Sequence, residues 1–303
     1  MKYDAVPAFT LKPLTAAPPK AATETSRTPR FIDDVAAGRV ELPVIPAIVQ
    51  KLMNALRDPD VDARVIAQIL ARDPVLTSKV LRLANSSFFG GQRSMASIDA
   101  AVGLIGLAAL NRLIVACGVS SSLGEVPGID LQLFWRDARV AAHAAHKLAP
   151  RVGADPDEAY LCGLLHSSGH LILCRSYPQV ANAMFNGFER VQGAELAAIE
   201  VEAFGIDHPQ VGSLWVESIK FPQPVADTIA KSTRPPEEIQ SALELSLHGA
   251  CTLASAAAQK ASADAALAAL HPGLRTHFVL PNGQADASFS KIYDSLCEAE
   301  TAA

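Results

Sequence analysis

Apolar residues along this chain recur at helical spacing. In residues 46–57 they stand at Ile48, Val49, Leu52, Met53 and Leu56, one stripe at i, i+1, i+4, i+5 and i+8. Val65, Ile66, Ile69 and Leu70 repeat the pattern. Asp73-Pro74 then sets an acidic cap before proline at the first helical position, ahead of Val75, Leu76, Val80, Leu81 and Leu83. Ser97 caps the apolar run that opens at Ile98. A long helix is predicted from Leu131 to Leu148. A further helix follows Asp155-Pro156 and carries Ala159, Leu161, Leu164 and Leu165. Shorter helices are predicted around Leu196, Ile199 and Phe204, and around Val211, Leu214 and Trp215. Pro222 and Pro224 punctuate before Val225 and Ile229, and the Ala-rich stretch 237–270 is again helical. No stretch alternates strongly, so the fold class is all-α. Thr276 to Leu280 is the one run that suits a short strand.

The breaks divide the chain. Phe88-Phe89-Gly90-Gly91 reads as a turn, and residues 119–130 (VSSSLGEVPGID) read as a linker. Two helical subdomains are expected to meet there, one over 31–125 and one over 126–235. A C-terminal helical extension and tail occupies 236–303. It holds eight acidic and three basic residues, a balance suited to masking or presenting a binding surface. Residues 1–30 contain five prolines among many Ala and Thr, with five basic and two acidic side chains, and read as a flexible extended tail.

Composition narrows the function. The net charge is −5, and with the tail at +3 the remainder carries −8, which disfavours phosphate-backbone binding, so nucleic acid is not an expected partner. Five cysteines without a Cys-x-x-Cys pair fit thiols in a reducing cytoplasm. Residues 100–119 (AAVGLIGLAALNRLIVACGV) are apolar enough to suggest a membrane span. Asn111 and Arg112 stand at the middle, where a central Arg costs about 2.5–3.5 kcal/mol, so the reading is buried helix and no membrane.

Three stretches together resemble the HDOD domain, a relative of the HD-type metal-dependent phosphohydrolases. The first is 42–90, with the LxLANSxFxG run at Leu81–Gly90. The second is AYLCGLLHSSGHLIL at 159–173, similar to the GLLHxxG signature helix. The third is 199–229, with Glu200, Gly205, His208 and the Val211-Gly212 pair at the family's spacing. The resemblance covers roughly 40–235 and implies an all-α, multi-helix HD-like bundle. It also implies a bacterial signal-transduction role, linked to cyclic dinucleotides, motility or virulence.

An HD phosphohydrolase gathers imidazoles and carboxylates on one or two divalent metals, which generate hydroxide and neutralise phosphate. By the resemblance the defining His-Asp pair falls at His166-Ser167, an earlier His falls at Asp137, and a later His-His doublet falls at Lys231-Ser232. Glu200 and His208 are retained. The implied pocket, whether a ligand site or a vestigial metal site, is Asp137, His166, Ser167, His170, Glu200 and His208. Asp137, His166 and His208 are its weak metal candidates, and no catalytic residue and no cofactor is expected. Read as residues alone, His166 is a core histidine, His166 and His170 share a helix face at i, i+4, and His143 and His146 lie on a solvated or half-buried face. His208 belongs to a helix start, Glu200 neutralises a nearby His or Arg, and Arg82 and Asn85 stitch the halves together. Three functions stay open. The first is a non-enzymatic module that binds a signalling protein partner or a nucleotide-like ligand. The second is a divergent phosphodiesterase with a rebuilt site, and the third a purely structural scaffold.

Overall fold

The computed structural model describes residues 30–56, 58, 61–85, 95–185, 192–280, 282 and 284–301. The N-terminal tail, the Phe88–Gly91 turn and the Ser86–Gly90 part of the family run lie outside these residues. The N-terminal half holds α1 (Phe31–Ala36), α2 (Ala47–Ala55), α3 (Ala63–Leu70), α4 (Pro74–Ala84) and α5 (Ile98–Leu123). The second half begins with α6 (Leu131–Val152), α7 (Pro156–Leu165), α8 (Ser168–Ser176) and α9 (Pro178–Phe185). It continues with α10 (Gly193–Phe204), α11 (His208–Ser218) and α12 (Gln223–Ala230). The last group is α13 (Ala242–Ala258), α14 (Ala263–Ala269), α15 (Pro272–Arg275) and α16 (Ala287–Thr301). The described residues contain no strand. At Thr276–Leu280 there is only an isolated bridge from Val279 to Ala285, because a turn at 276–278 leaves no second residue pair in register.

Short polar side chains start these helices as the sequence predicts. Asp73 accepts from Leu76 N–H at 2.9 Å, Ser97 from Ala100 N–H at 3.1 Å and Asp155 from Glu158 N–H at 2.8 Å. Each such cap is worth about 1 kcal/mol. The α4 stripe turns Leu76 and Val80 inward but leaves Val75 largely exposed, since consecutive helical positions are about 100° apart.

Helix α5 is long and apolar enough to cross a membrane by length and composition alone. Gly106 at φ 81° and ψ 167° breaks it, and Leu110, Leu113, Ile114 and Val119 are buried against the rest of the chain. Arg112 near its middle pairs with Asp157 of α7 at 2.7 Å. The predicted linker is shorter than 119–130, because Val119–Leu123 continue the helix and Gly124 at φ 60° ends it.

Two glycines of the GLLHxxG run decide how the second half packs. A Cβ at Gly163 would stand 2.6 Å from Ala142 Cα and 2.7 Å from Ala141 O, so α7 lies directly on the α6 backbone. At Gly169 it would fall on the His208 carbonyl and stand 2.7 Å from Gly212 N, so α8 lies equally close to α11. Helix α13 packs on α6 and α7, and its Leu247, Ala250 and Leu253 are buried. The described helices α13 and α16 of the 236–303 extension pack on α6 and share its core.

The halves are fastened by polar contacts. Trp215 Nε1 donates to Pro43 O at 2.7 Å, Tyr177 Oη to Asp34 Oδ2 at 2.7 Å, and Arg175 to Leu123 O at 2.9 Å. Trp135 and Trp215 are both core. Asn85 does not join the halves. Its side chain bonds Leu81 O at 2.9 Å, Met95 O at 2.9 Å and Met95 N–H at 2.6 Å, closing its own loop.

Candidate functional site

The signature run is two helices. The chain turns at His166-Ser167 between α7 and α8, so the expectation that His166 and His170 share one face fails. The six implied site residues then fall into two groups.

The first group centres on Glu200, which is fully buried on α10. His170 Nδ1, from α8, donates to its Oε1 at 2.6 Å. His208, at the first position of α11 behind its cap Asp207, donates to Oε2 from Nδ1 at 2.6 Å and from its backbone N–H at 2.7 Å. Burial alone would raise the Glu200 carboxyl, but hydrogen bonds and charge from His170 and His208 outweigh it and hold the group below the usual carboxylate value. The other ring nitrogen of His170 faces Cys174 Sγ at 3.6 Å. The triad ties three helices together and leaves His170 no nitrogen for a metal.

The second group lies where α6, α7, α12 and α13 meet. His166 Nδ1 donates to Gly163 O at 2.8 Å, the carbonyl one turn back. Burial works against a charged His166 ring, but the Cys251 thiol, the Gly163 carbonyl and the charge of Asp137 outweigh it and hold its pKa above the usual histidine value. Asp137 lies 3.2 Å from Arg136, which also pairs with Glu300 of α16 at 2.7 Å. Ser167 stands at the start of α8 and makes no capping bond from its side chain. Lys231, where the resemblance places a metal-binding doublet, donates to Glu244 Oε1 at 2.9 Å. Gln240 N–H holds the other Glu244 oxygen at 2.9 Å.

Glu200 takes both His170 and His208 by hydrogen bonds, while the groups that bear on His166 are Cys251, the Gly163 carbonyl and Asp137. Among the described residues no three His, Cys, Asp or Glu side chains are placed to share a metal ion. The ligands an HD-type metal would need do not fit it: Ser167 offers a neutral hydroxyl and Lys231 a competing cation. The enclosed space beside Lys231, Ser232, Glu244 and His248 is only about 10 Å³, roughly one water in size and far too small for a nucleotide. Sequence reasoning missed Cys251, Glu244 and His248, which lie on one face of α13. The Ser241-x-x-Glu244 spacing, a helix-start signature, was the available signal.

His143 and His146 lie half-buried on α6, the second of the two surroundings the sequence left open. Burial first, and neighbouring cations second, bring both down to about 4.

Comparison with known proteins agrees with this architecture. The HDOD domain family matches residues 42–235, and the chain belongs to that family. A structure of a candidate phosphohydrolase from Shewanella amazonensis SB2B is 27% identical, with a TM-score of 0.68 over 89% of this chain and 96% of that one. An HDOD domain protein of unknown function from Geobacter sulfurreducens is 24% identical, with a TM-score of 0.66 over 87% of this chain and 91% of that one. A Treponema pallidum protein is 24% identical over 206 residues, which is 67% of this chain and 40% of that protein's length.

Proposed function

We propose that this chain is a non-enzymatic bacterial signalling module, which keeps an HD-type helical scaffold and acts in the cytoplasm by engaging a signalling protein. It needs no cofactor. The circuits that suit it are those of cyclic dinucleotides, motility or virulence. The observation that carries this reading is Lys231. Its ammonium occupies the ground of a metal-binding doublet and is held there by Glu244 at 2.9 Å, so a divalent cation would meet a fixed positive charge.

A divergent phosphohydrolase is the second reading. It draws on the 27% identity to the Shewanella protein and on the His166 pairing with Cys251 and Asp137. The test is turnover of cyclic di-GMP and of a simple phosphodiester with Mn²⁺ or Fe²⁺ supplied. The module reading expects wild type and His166→Ala to be equally inert, whereas turnover that His166→Ala abolishes overturns it.

A further inference from the structure

We draw no further inference here: the strongest candidate, the partly exposed apolar face of α5 around Leu104 ahead of the break at Gly106, has nothing in the structure to show what covers it.

Discussion

His208 gives two donors to one oxygen of Glu200, its backbone N–H at 2.7 Å and its ring Nδ1 at 2.6 Å. The same contact starts α11 and closes the turn from α10. With His170 on the other oxygen, the carboxylate has no exposed acceptor left.

Removing that carboxylate strands two imidazoles in the interior. Glu200→Ala is expected to cost about 3–5 kcal/mol, the usual penalty for breaking a buried charged network from one side. Glu200→Gln costs less, since one amide oxygen still accepts. Urea unfolding of both variants against wild type measures the difference, and a loss under about 1 kcal/mol for Glu200→Ala would show that the triad contributes little.

Stability should fall with acid in two stages. His143 and His146 are held at about 4, below their ordinary 6.5, so the unfolded chain binds more protons between those values and stability drops as pH falls from about 6.5 toward 4. Glu200 is held below its ordinary 4.5, so its contribution is complete above that value and is lost beneath it. His143→Leu should flatten the first stage, and Glu200→Gln the second. Unfolding midpoints from pH 3.5 to 7.5 separate them, and a single stage that neither variant alters would refute this assignment.

Gly169→Ala places a methyl on the backbone of α11, and Gly163→Ala places one on the backbone of α6. No flexible side chain can yield at either point. Each is expected to cost at least about 1–3 kcal/mol, the range for overpacking, and the helices must separate for the variant to fold at all. Solubility and thermal midpoint check this, with Gly153→Ala at a helix end as the comparison for a simple positive-φ cost.

Deleting residues 236–303 should destroy cooperative folding. The deletion strips α13 from α6 and α7 and uncovers Leu148, which packs within contact of Gly249. A soluble, cooperatively melting fragment would instead mark the extension as a separable unit.

The helices were legible because their starts are local. Asp73, Ser97 and Asp155 each cap within three residues, and a stripe such as Val49 and Leu52 lies within one turn. Gly106 was not legible as a break, since an isolated glycine in an apolar run does not reveal its φ. The turn at His166-Ser167 was hidden because neither residue is a glycine or proline that would mark a break, and it decided which histidines meet. Glu200 and His208 are eight residues apart and could be paired from sequence, whereas His170 reaches Glu200 only through the packing that Gly169 permits.

The account holds that the protein's own side chains fill the ground where an HD relative would carry metal. Elemental analysis of the purified, untagged chain after exposure to Mn²⁺, Fe²⁺ and Zn²⁺ tests it most directly, beside the His166→Ala, His208→Ala double variant. The predicted result is metal far below one ion per chain in both proteins. Near-stoichiometric metal in the wild type that the double variant loses would contradict it.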